Sequence, residues 1–194
     1  MNSREDILSR IRAAQPPATP APELPTFDRA DAAPLLHRFK AGVARMGGKV
    51  VEEGGALVAL VGRLHPGAAV VASATRELVG NRELGPGTQP ASLGDVDVGV
   101  VRARFGVAET GSVWLTDADF TVSALGFLSQ HLVVLLDPAA VVPDMHQAYR
   151  RRAEFDADYG VFMTGPSATA DIEGILIHGA QGIRSLTVVL RPPP

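Results

Sequence analysis

Short, unbroken apolar runs punctuate this chain and limit the folds open to it, among them "HLVVLLD" at 131–137 and, last along the chain, "SLTVVL" at 185–190. A strand with one wet face alternates polar and apolar residues, so an unbroken run needs cover on both faces. Between the runs lie segments of helical character: Ala30 to Met46, closed by Gly47-Gly48; Gly55 to Leu64, whose "ALVALVG" also reads as a buried strand; Ala74 to Gly80; Pro138 to Arg152; and Ala168 to His178. Strands are expected at "KVVEE", "AAVVAS", "DVDVGVV" and "YGVFMTG", with a strand pair in "VAETGSVWLT" and a loop from Asn81 to Gly94. Strands alternating with helices predict an α/β fold, a mostly parallel sheet with helices on both faces. Such sheets present ligands at the carboxyl ends of their strands.

Ahead of this pattern, residues 1–14 carry Ile7, Leu8 and Ile11 at helical spacing, and "QPPATPAPELP" at 15–25 is too rich in proline for regular helix. The expected organisation is an amino-terminal helix, a Pro-rich linker over 15–25 and one domain over 26–194. With 18 basic against 21 acidic residues and a net charge of −3, the chain has no electrostatic footprint for nucleic acid. No segment approaches the roughly 18 apolar residues of a membrane span, and a soluble, cytoplasmic protein is expected. Cysteine is absent, which excludes disulfides, a thiolate nucleophile and a Cys-ligated iron–sulfur cluster in this chain.

Two motifs carry candidate chemistry. In "TGPSATADIEG" a strand is expected to run into Thr164-Gly165-Pro166-Ser167 and then into a helix capped by Ser167 or Thr169, with Asp171 and Glu173 in its first turn. Capping accounts for every residue; a ligand-facing reading adds free amides after Gly165 and a carboxylate, Asp171, to receive a hydroxyl or proton. In "GVAETGSVWL" Glu109 stands between strand-like segments, either as a solvated acid in a hairpin turn or as a general base or nucleophile. The histidines give no metal spacing, and no bound metal is expected. His131 opens a buried strand, but Asp137, at its other end, is the better placed for a cleft; His65 raises no chemistry. A Walker motif, a G-x-G-x-x-G turn and a complete nucleophile elbow are all missing.

Taken in order, "SREDILSRIRAA", "GVAETGSVWL", "HLVVLLD" and "TGPSATADIEGILIHGAQGIRSLTVVL" resemble the lactate utilization protein C family, whose shared unit is called the LUD domain. The resemblance implies a fold like that of glucosamine-phosphate isomerases, ribose-phosphate isomerases and CoA transferases. It also implies a part in oxidising L-lactate to pyruvate beside two partner proteins that carry iron–sulfur clusters. A cysteine-free chain would then be an accessory or ligand-binding subunit, without a cofactor of its own, holding a small hydroxy acid or a partner at Glu109, Thr110, Gly111, Gly165, Ser167, Thr169 and Asp171. A free-standing isomerase or CoA-transferase-like enzyme using Glu109, and a metabolite-binding module, are the alternatives. The family commonly has Gly-x-His-Gly-Pro where this chain has "GAQGI", with Gln181 for the histidine and Ile183 for the proline. Glutamine keeps a hydrogen bond there but transfers no proton.

Overall fold

The computed structural model describes residues 3–194 except 18, 21, 23, 24, 26–32, 53, 172 and 180. The chain divides into two units, Met1–Ala30 and Asp31–Pro194. In the first, α1 (Ser3–Ala13) is an exposed helix with an Asp6–Arg10 pair one turn apart. The expected domain start at Thr26 and helix start at Ala30 lie outside the described residues.

The second unit runs α2 (Leu35–Arg45), β1 (Lys49–Val51), α3 (Leu57–Leu64), β2 (Val71–Ser73), β3 (Val98–Arg102), β4 (Phe105–Val107), β5 (Ser112–Thr116), α4 (Asp117–Phe120), α5 (Leu125–Leu128), β6 (His131–Leu136), β7 (Val141–Val142), α6 (Met145–Arg150), β8 (Gly160–Met163), β9 (Ala168–Thr169), β10 (Ile177–His178) and β11 (Ser185–Leu190). Its centre is a five-stranded sheet, β1-β11-β6-β3-β2, parallel at every pairing. The run at 131–137 forms the middle strand. Leu132, Val134 and Leu136 face a core with Phe39 and Val43 of α2, while Val133 and Leu135 face Leu57, Leu60 and Val61 of α3. That is the two-sided cover that the unbroken run requires. The same geometry decides "ALVALVG": Leu57, Leu60 and Val61 are buried while Val58 is 65% exposed, a helical and not a strand pattern.

A second sheet, β7-β4-β5-β8, is mostly antiparallel. Phe105, Val107, Trp114 and Ala148 form its own apolar cluster, with Phe155 and Phe162 against it. The Trp114 indole donates to the Glu154 carbonyl at 2.9 Å, which satisfies its one polar atom.

Four sequence expectations change. Ala74 to Gly80 is a chain of turns and not a helix: the Thr75 amide bonds the Ser73 hydroxyl, and Gly80 runs so close to β2 that a Cβ there would lie 2.3 Å from the Val71 carbonyl. Pro138 to Arg152 breaks into a short 3-10 turn, β7 and α6, because Pro143 lacks an amide and pushes its predecessor into extended backbone. α2 begins at Leu35, and Ala33 and Pro34, inside the expected helix, are not helical.

The fourth change touches the site. Ala168 to His178 is a β9–β10 hairpin, reversed by Glu173 and Gly174 at φ 55° and 70°. There is accordingly no helix for Ser167 or Thr169 to cap, and no helical amides after Gly165. β8, which leads into Thr164, lies antiparallel to β5, so this turn is not the carboxyl end of a parallel strand.

Candidate functional site

Both motif turns rest on the same helix. Gly111, at φ 67°, sits against α2 so tightly that a Cβ on it would lie 2.2 Å from the Gly42 carbonyl carbon. At Met46, the residue that follows the end of α2, the chain passes under the other motif: a Cβ on Gly165, at φ 62°, would lie 1.9 Å from the Met46 carbonyl oxygen. Thr164 ties the turns to each other, its hydroxyl donating to the Gly111 carbonyl at 3.1 Å. Beside that bond, the Thr110 and Ser112 hydroxyls are 2.6 Å apart.

Glu109 faces solvent at the hairpin tip. Its carboxylate accepts the Met145 amide at 3.0 Å at the start of α6, where Asp144 accepts from Gln147 at 2.7 Å. The negative charge thus meets a helix amino end. Thr169 donates to Asp171 at 2.7 Å within the exposed β9–β10 hairpin, a local turn contact.

Gly165 and Ser167 line a groove of about 660 Å³, with Thr164, Pro166, Phe127, Leu128, β8, Gln181, Gly182 and Ile183 around it. Ser167 is strapped to the facing segment by its backbone: its amide donates to Ile183 at 3.0 Å, and the Gly179 amide donates to its carbonyl at 2.6 Å. Gly182, at φ 68°, lets that segment turn beside the Ser167 hydroxyl. The described lining offers hydroxyl, amide and apolar groups, and no titratable side chain. Glu109, Thr110, Gly111, Thr169 and Asp171 stand outside this lining.

At the amino edge of the parallel sheet the His65 and His131 rings stack with centroids 4.3 Å apart, and His131 Nδ1 meets the Ser185 hydroxyl at 2.8 Å. Burial lowers the pKa of both; His131 and Lys49 lower His65 further, while for His131 the Arg184 charge lowers and Asp97 partly opposes. Asp97, held below its ordinary value mainly by the Val70 and Ala69 amides, titrates lower still. For a histidine depressed below the unfolded value of 6.5, the folded state favours the neutral ring. Its stabilising contribution is full above that pH and is lost as pH falls toward the folded pKa. The expected result is a melting temperature that drops between pH 7.5 and 5, with a shallower drop in His131→Gln; parallel slopes in the two proteins would remove the histidine pair as the cause.

The family profile of the LUD domain matches residues 90–190, just over half of the chain. The chain belongs to the LUD-domain family. A crystal structure of a DUF162 family protein from Deinococcus radiodurans is similar over 80% of this chain and 95% of its own, at 17% identity and a TM-score of 0.61. That likeness establishes the shared α/β fold. No curated protein matches.

Every lining residue of the groove falls inside the matched LUD segment. Sequence reading found its Thr164–Ser167 wall and noticed Gln181; it missed Phe127, Leu128 and Ile183 as lining, because ordinary apolar residues carry no spacing signal. Nor did it pair His65 with His131, which the end of α3 and the start of β6 bring together. Among the described residues of the LUD domain and its extensions, no three His, Asp or Glu side chains gather as metal ligands. No helix of the described residues is long and apolar enough to cross a membrane.

Proposed function

We propose that this chain is an accessory, ligand-binding subunit of an iron–sulfur system that oxidises L-lactate to pyruvate. The observation that carries the reading is the groove between Thr164–Ser167 and Gln181–Ile183, whose described lining has hydrogen-bonding and apolar groups but no acid or base. Such a surface holds and orients a hydroxy acid, whereas proton transfer needs a titratable group within reach. The LUD family name links the chain to lactate utilization. A chain without cysteine leaves the electron-carrying clusters to partner proteins. The alternative of an isomerase or CoA transferase built on Glu109 loses ground, because that carboxylate caps α6 at the surface.

Anaerobic affinity purification of the tagged protein from its native cell tests the assembly. A brown eluate containing iron and reducing a dye on addition of L-lactate is the expected result. A colourless eluate, free of iron, rejects the assignment.

A further inference from the structure

Three chambers join along the amino edge of the parallel sheet. The groove of about 660 Å³ shares Leu128, Gln181 and Gly182 with a chamber of about 180 Å³. That chamber shares Gln130 with a third, of about 340 Å³, beside His65 and His131. Gln130 and Arg184 immediately precede β6 and β11 and are joined by an Arg184 amide to Gln130 carbonyl bond of 2.7 Å, so the middle chamber stands on rigid strand starts.

The chambers differ in chemistry. Phe127, Phe162 and Pro166 make the large one apolar at its walls. Arg184 lines the middle one, and among the described residues no carboxylate pairs with its guanidinium. Asp97, the carboxylate that lines the adjoining chamber, is engaged by the Ala69 and Val70 amides at 2.8 Å each. An unpaired guanidinium next to amide side chains is a carboxylate anchor. Size then decides the rest of the ligand. Cavities of several hundred Å³ enclose molecules much larger than a three-carbon acid, so lactate alone would leave the apolar walls wet.

We infer that the groove binds a 2-hydroxy acid bulkier than lactate, with its carboxylate on Arg184 and an apolar or aromatic substituent against Phe127, Phe162 and Pro166. The Ser167 hydroxyl and the Gln181 amide stand between the two ends to meet the hydroxyl group. This deepens the reading of the groove as a ligand site and rests on it for the location.

Calorimetric titration with L-lactate and with 3-phenyllactate tests the inference on the full chain. 3-Phenyllactate is expected to bind at least about tenfold tighter than lactate, and Arg184→Gln to weaken it at least about tenfold. Phe127→Ala should weaken 3-phenyllactate and leave lactate unchanged. Arg184 is exposed, so the fold of its variant is expected to be intact, as an unchanged melting temperature would verify; amide shifts at Gly179, Gly182 and Arg184 give a second readout in the unmutated chain. Equal affinity for the two acids, no binding of 3-phenyllactate, an unaffected Arg184→Gln or shifts confined to other segments would each overturn it. Iron-bearing partners without 3-phenyllactate binding would reject this inference and leave the assembly standing; binding with a colourless eluate would do the reverse.

Discussion

Gly165→Ala lowers the stability of the fold by at least about 3 kcal/mol, measured as the shift in a urea unfolding curve. Two costs combine. At φ 62° an alanine adopts left-handed backbone, which costs about 1–2 kcal/mol. Its Cβ would also lie 1.9 Å from the Met46 carbonyl oxygen, and that oxygen belongs to backbone held at the end of α2, where the Met46 amide donates to Gly42. A rigid neighbour cannot yield as the tip of a flexible side chain would. Gly174→Ala separates the two costs, because Gly174 has φ 70° but nothing within 4 Å of its would-be Cβ; it should lose only about 1–2 kcal/mol. Equal losses in the two variants would mean that the close approach to Met46 is unimportant.

Glu77→Gln is expected to cost about 2–3 kcal/mol, somewhat below the loss from breaking a fully buried ion pair. The Glu77 side chain is only 10% exposed, and its carboxylate lies 2.5 Å from Arg102 and 3.5 Å from Arg191. Those arginines also fasten the carboxyl edge of the parallel sheet: Arg102 donates to the Arg191 carbonyl at 3.1 Å and Arg191 to that of Gly55 at 2.9 Å. Glutamine keeps the volume but leaves two guanidinium groups facing each other without a counter-charge. Part of the loss should return in 1 M salt, where the Debye length is about 3 Å. A variant as stable as the parent in low salt would show that water already neutralises this cluster.

Glu77 also illustrates where sequence reasoning stops. "ATRELVG" has the composition of a helix, but Glu77 is drawn to arginines on β3 and after β11, contacts that no local window contains. The central strands were legible because burial on both faces leaves its mark in the residues themselves, as at 131–137. The β4–β5 hairpin was legible too, since Thr110-Gly111 interrupts an apolar run where the chain must turn. The hairpin at 168–178 was not: its acids and apolar residues satisfy a helical pattern, while its fold is set by Ser167 pairing with Gly179 and Ile183. The groove draws its walls from α5, β8, the Thr164–Ser167 turn and Gln181–Ile183, and only the turn had a motif to betray it. Spacing along the chain says little about walls assembled from separate segments.

The seating of Gly111 on Gly42, and of Gly165 on Met46, changes what the two most recognisable stretches of this sequence can tell a reader. They work as hinges' opposite, fixed joints that clamp one helix between two turns. Finding Ala-Glu-Thr-Gly and Thr-Gly-Pro-Ser in another protein therefore certifies the chassis and says little about its cargo. Relatives that handle the same molecule should instead be sought by what stands at Phe127, Gln130, Gln181 and Arg184, positions free to vary without loosening the joints.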